Sequence, residues 1–104
     1  MEEIIAERDL IGLNPDGSKF KIMLKIGKPY TVGSKEWACS AGAIGLYKRL
    51  REIRGVDSFQ SLMQAIEFLR QLLEYFIEDG GRLLSVEDES PVKITDIFTS
   101  VILE

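Results

Sequence analysis

The stretch DSFQSLMQAIEFLRQLLEYFIED, residues 57–79, decides the architecture. Phe59, Leu62, Ile66, Leu69, Leu73 and Phe76 recur at helical spacing and form one apolar stripe. Gln60, Gln64, Glu67, Gln71, Glu74 and Glu78 form the opposite, polar stripe. Asp57 stands where an N-cap belongs, with Gln60 three residues on to complete a capping box. Gly80 and Gly81 supply a C-terminal stop that tolerates positive φ. Met63, Ala65, Leu72 and Ile77 widen the apolar face, so the helix is expected to touch more than one surface.

Upstream the pattern changes period. Phe20, Ile22, Leu24 and Ile26 alternate with Lys21, Met23 and Lys25, which reads as a half-buried strand. Asn14-Pro15-Asp16-Gly17 precedes it, each residue suited to its place in a type I turn. Residues 3–13 carry Ile4, Ile5, Leu10, Ile11 and Leu13 and complete a β-hairpin. Gly27-Lys28-Pro29 ends the second strand, and a loop is expected to about Ser34. Trp37, Cys39 and Ala41 suggest a third strand. Residues 46–54 fit both periods: Leu46, Leu50 and Ile53 at helical spacing, Leu46, Lys48 and Leu50 in alternation. Their short length between Gly45 and Gly55 tilts the reading towards a fourth strand. Arg82 to Val86 could add a fifth, and Glu87-Asp88-Glu89-Ser90 reads as an acidic loop. Ser90-Pro91 has the form of an N-cap and N1 pair. Ile94, Ile97, Phe98, Val101 and Ile102 then fall at helical spacing, carried largely by β-branched residues that prefer strands. The expectation is one α+β domain over residues 1–104: an antiparallel sheet of four to five strands packed on one long helix, ending in a short C-terminal helix or strand.

Composition limits what this domain can do. Apolar residues make up 45% and charged residues 29%, enough for one core without disulfide or metal staples. The net charge of −4 argues against nucleic acid as a general partner, because such binding rests on neutralising phosphates. One cysteine, Cys39, forbids an internal disulfide and fits a reducing cytoplasm. The opening Met1-Glu2-Glu3-Ile4 lacks the basic and apolar regions of a secretory leader, and no run approaches a membrane span.

There is no histidine, which removes the commonest general base and the commonest transition-metal ligand. No glycine-rich phosphate loop occurs. Neither catalytic residues, nor a metal site, nor a cofactor is expected. Cys39 reads as a buried small hydrophobe rather than a reactive thiol. Glu87, Asp88 and Glu89 read as a solvated loop, and Glu74 with Glu78 as surface charges. Lys48, Arg49, Arg51 and Arg54 form one basic cluster, with Tyr47 beside it, that could grip an anionic partner. Trp37 is expected in the core. The apolar tail, Ile94, Ile97, Phe98, Val101 and Ile102, is a candidate interface that either closes this chain's own core or docks on a neighbour.

Three short elements carry a resemblance. Ile26-Gly27-Lys28-Pro29, Trp37-Ala38-Cys39 and Gly55-Val56-Asp57-Ser58-Phe59-Gln60-Ser61-Leu62 resemble the I-G-x-P element, W-x-C strand and G-V-D-[SA]-x-Q-A-L helix start of a widespread small bacterial domain of unknown function. The resemblance spans about residues 5–86. It implies bacterial origin and a β-rich half packed on one long helix, and it supports a strand at 46–54. It implies no activity. That domain continues with a glycine-rich acidic loop and a Phe-Pro ending, which residues 86–91 match only in part; residues 92–104 look like an addition.

The expected function is a non-catalytic interaction or accessory module, a homodimer with a further, unknown protein partner. The alternatives are nucleic-acid binding through residues 48–54 and a small enzyme using carboxylates, Tyr or Lys.

Overall fold

The long helix forms where its caps place it. In a computed structural model that describes residues 3–98, α1 runs Ser58–Glu78. The Asp57 carboxylate accepts the Gln60 N–H at 2.7 Å, and the Gln60 side chain accepts the Val56 N–H at 2.8 Å. One orphan donor of the first turn, the Gln60 N–H, is thereby satisfied, together with the Val56 N–H just before the cap. At the other end Gly80 takes φ +97°, the Gly80 N–H reaches the Ile77 carbonyl and the Gly81 N–H the Phe76 carbonyl. That pair of crossed bonds requires a left-handed residue, which Gly80 supplies without a Cβ clash.

The hairpin is also as expected. β1 (Ile4–Leu13) and β2 (Lys19–Gly27) pair antiparallel, and the Gly17 N–H closes the turn onto the Asn14 carbonyl at 2.9 Å. The next segment differs from the sequence reading. Residues 30–34 were expected as loop, but β3 (Tyr30–Val32) is a strand paired with β4 (Glu36–Ile44). β5 (Arg51–Gly55) pairs with the opposite edge of β4. Ala41 pairs with Ile26 on one side and Arg51 on the other, and Ala38 with Tyr30 and Arg54. β2 and β3 therefore lie on the same edge of β4. Between them Gly27, Lys28 and Pro29 stand opposite only Cys39 and Ser40, so the strand is bulged rather than ended. Proline supplies no ladder N–H, and a bulge accommodates that. The buried Cys39 Sγ donates to the Gly27 carbonyl at 3.2 Å inside the bulge.

β6 (Arg82–Leu84) pairs with the turn end of β1 and completes one antiparallel sheet. The strand expected over residues 46–54 is only β5. Residues 46–50 instead turn back over the sheet face remote from α1, where a Cβ on Gly42 would stand 2.9 Å from Leu50 Cδ2 and 3.1 Å from the Arg49 carbonyl oxygen. Such an approach explains why β4 is built from small residues and is buried on both faces from Ala38 to Ala43.

α1 lies across β4 and β5. Its buried Ala65, Leu69, Leu72 and Leu73 meet Cys39, Ala41 and Ala43 of β4 with Ile22 and Leu24 of β2. Phe76 makes an edge-on contact with Phe20, ring centres 5.6 Å apart. The β1–β2 half of the same face is covered by residues 91–98. Pro91 bridges to Leu84, and the Val92 N–H donates to the Leu83 carbonyl at 2.9 Å. Ser90-Pro91 does not open a helix as expected, because Pro91 is held in this bridge. α2 (Ile94–Ile97) is a single turn starting three residues later.

The remote face carries exposed ion pairs beside the half-buried Ile11, Leu13 and Met23. Lys21 reaches Asp9 at 3.3 Å, Lys19 pairs with Glu89, and Arg54 binds Glu36 and Glu52 at 2.7 and 2.6 Å. All are exposed pairs, worth about 0–1 kcal/mol each. Among the described residues no helix is long and apolar enough to cross a membrane.

Candidate functional site

The basic cluster does not assemble. Arg51 pairs with Ala41, whose side chain faces α1, whereas Arg54 pairs with Ala38 on the remote face. Lys48 and Arg49 sit on the loop before β5. Arg54 is occupied by two carboxylates, and its guanidinium is held above its ordinary value by hydrogen bonds to Glu36 and Glu52. What remains on one side is Lys48, Arg49 and a Tyr47 ring that is 45% exposed.

The tail residues divide. Ile94, Ile97 and Phe98 are half-buried against this chain's own core, beside Val92. Val101 and Ile102 lie outside the described residues. Ile97 and Phe98 cap a mostly apolar cleft of about 220 Å³, with Ala6, Leu24, Ile66 and Leu69 among its lining. A second cleft, of about 360 Å³, opens beside Ile77, Pro91 and Ile94. Neither gathers two carboxylates.

Glu67, Glu74 and Asp88 are engaged locally. Arg70 binds Glu74 and Glu67, both at 2.9 Å, and Glu67 foremost raises the Arg70 guanidinium above its ordinary value. Asp88 accepts the Ser90 N–H at 3.0 Å, and hydrogen bonding from Ser90 holds its carboxyl below the ordinary 3.8. Among the described residues no group of three or more His, Cys, Asp and Glu is placed to hold a metal ion. Trp37, expected in the core, is half-buried near the sheet end where β5 meets the helix start.

One surface was missed by sequence reasoning. Val56 is 70% exposed, Phe59 73% and Met63 49%, all at the start of α1. Phe59 was placed on the core stripe, but the packing of Ser61 turns it away. Ser61 is fully buried against Gly55, the last residue of β5. Two residues along a helix amount to about 200° of rotation, so when Ser61 faces the sheet, Phe59 and Met63 face solvent. They are four apart and stand side by side. The signal available beforehand was the width of the apolar face, which exceeds what one sheet can cover.

Comparison with protein-family models, with curated proteins and with solved structures finds no match to this chain.

Proposed function

We propose that this chain is a non-catalytic protein-interaction module that seats an apolar surface of a second protein on Val56, Phe59 and Met63. The observation that carries the reading is the exposure of these three large side chains at one end of α1. Contiguous exposed apolar residues rimmed by polar ones mark interaction sites, and Gln60, Gln64 and Glu67 form such a rim along the same helix. The lone cysteine, reduced and buried, fits a cytoplasmic setting. A nucleic-acid reading has to rest on Lys48, Arg49 and Tyr47 alone, since Arg51 faces the other side and Arg54 is already paired.

The test is a binding comparison between wild type and Phe59→Ser. Burying an aromatic anchor at an interface contributes at least about 2 kcal/mol, a weakening of roughly thirtyfold on removal. Proteins retained from the source cell's lysate by wild type should be lost by Phe59→Ser, with its urea unfolding midpoint unchanged. Equal retention by both removes this surface from consideration.

A further inference from the structure

Residues 91–98 form a strap laid over the β1–β2 half of the core. Its apolar side chains, Val92, Ile94, Ile97 and Phe98, pack on that core, yet none is fully buried. Among the described residues its backbone is joined to the sheet at one point, the Val92 N–H on Leu83 beside the Pro91 bridge to Leu84. Clefts of about 220 and 360 Å³ lie along it. The rest of its bonding is internal: the Lys93 N–H donates to the Asp96 carboxylate at 2.9 Å, and the Phe98 N–H to the Ile94 carbonyl. The strap is thus a locally ordered piece held to the body by apolar contact.

The loop that returns it to the body is strained. The Ser85 N–H donates to the Ser90 carbonyl and the Glu89 N–H to the Ser85 carbonyl, both at 2.9 Å. To close this way Glu89 takes φ +57°, the only non-glycine residue at positive φ among the described residues. A side chain at positive φ costs free energy that an opened loop does not incur.

We propose that two copies of this chain exchange residues 91–98 about a hinge at residues 87–90, each strap covering the partner's core. The occupant of the groove is already seen, because the exchanged strap makes the contacts the strap makes in its own chain. Only the hinge and the cost of association differ between the two forms. Opening the hinge releases the Glu89 strain and favours exchange. The exposed ion pair of Lys19 with Glu89 opposes it weakly. The surface at Val56, Phe59 and Met63 takes no part, so the two proposals stand or fall separately.

The experiment uses the full chain in size-exclusion chromatography with light scattering, from micromolar to millimolar concentration, after incubation long enough for slow exchange. Wild type should show a dimer that grows with concentration. Glu89→Gly relieves the strain of the closed loop, which is worth roughly fivefold per hinge, so the dimer should dissociate roughly 25-fold more readily. Deleting Asp88 and Glu89 leaves the loop too short to close and should drive the protein to dimer. Mixed light and isotopically heavy dimers should form slowly, and Phe59→Ser should leave the dimer fraction unchanged. A wild type that stays monomeric through the millimolar range overturns the proposal. So does a dimer unmoved by Glu89→Gly, whether or not the deletion variant folds.

Discussion

Substitution of Gly55 by alanine should be among the most damaging single changes in this chain. Gly55 ends β5 and pairs with Trp37 of β4. A Cβ there would stand 2.5 Å from the Ser61 nitrogen, 2.9 Å from its Cα and 3.1 Å from the Gln60 carbonyl carbon. Ordinary contact starts at 3.4 Å, so the closest approach is short by 0.9 Å (3.4 less 2.5). All three atoms are helix backbone, and no side chain can swing aside to make room. The first turn of α1 must therefore lift from the sheet by roughly 1 Å, opening the packing around Ser61 and Ala65. Overpacking of this kind costs typically 1–3 kcal/mol, and rigid neighbours place Gly55→Ala at about 3. With a urea dependence of about 1.5 kcal/mol per molar, the unfolding midpoint falls by roughly 2 M. The single tryptophan, Trp37, lies at the site and reports both the transition and any shift in native emission. Gly17→Ala is the comparison: nothing lies within 4 Å of its Cβ, and only its φ of +91° opposes substitution. That costs about 1 kcal/mol. If Gly55→Ala loses no more than Gly17→Ala, the helix does not rest on β5 as described.

Other consequences follow from the same packing. Asp57→Ala removes the carboxylate that accepts the Gln60 N–H and should cost about 1 kcal/mol by urea unfolding, with less helical signal lost than stability. Leu73→Ala empties a fully buried site between α1 and the sheet and should cost about 3 kcal/mol, against under about 1.5 for Leu73→Met. The Asp16 carboxyl, held below its ordinary 3.8 by the Ser18 hydroxyl and N–H, should titrate at a lower pH than a free aspartate when followed by NMR. Because its folded value is depressed, its contribution is present above about pH 4 and is lost as pH falls through the folded value. Asp16→Asn should therefore differ from wild type at pH 7 and converge with it in acid.

Much of the fold was legible because local and global signals agreed. The helix from 58 to 78 was written in its caps and its stripe, and the hairpin in Asn14-Pro15-Asp16-Gly17 and the alternation that follows. The errors fall where one residue type serves two purposes. Gly27-Lys28-Pro29 has the composition of a strand end, yet here it makes a bulge, and Cys39 satisfies the carbonyl that a flat ladder would have paired. Residues 46–50 carry strand-like alternation, but Gly42 gives them a place to cross the sheet instead. No period in the sequence records that a remote glycine has left room.

The surface was less legible than the core, for a physical reason. Helical periodicity gives the angle of a side chain around the helix, but not where the sheet beneath it ends or which residue sits at the point of closest approach. Ser61, small and polar, was not marked as a packing residue, yet its fit against Gly55 fixes the rotation of α1 about its axis. Once that rotation is set, Phe59 and Met63 cannot reach the sheet, while Ile66 and Ile77 on the same flank line the clefts beside residues 91–98. One flank of one helix thus carries two surfaces of opposite fate. Ile66 in its middle is half-buried beside the strap, whereas its first turns, with Phe59 and Met63, are left exposed. Ile66 and Phe98 line the same cleft. Phe59→Ser and Glu89→Gly change different parts of the chain, so the double variant should combine the binding loss of the first with the weakened dimer of the second.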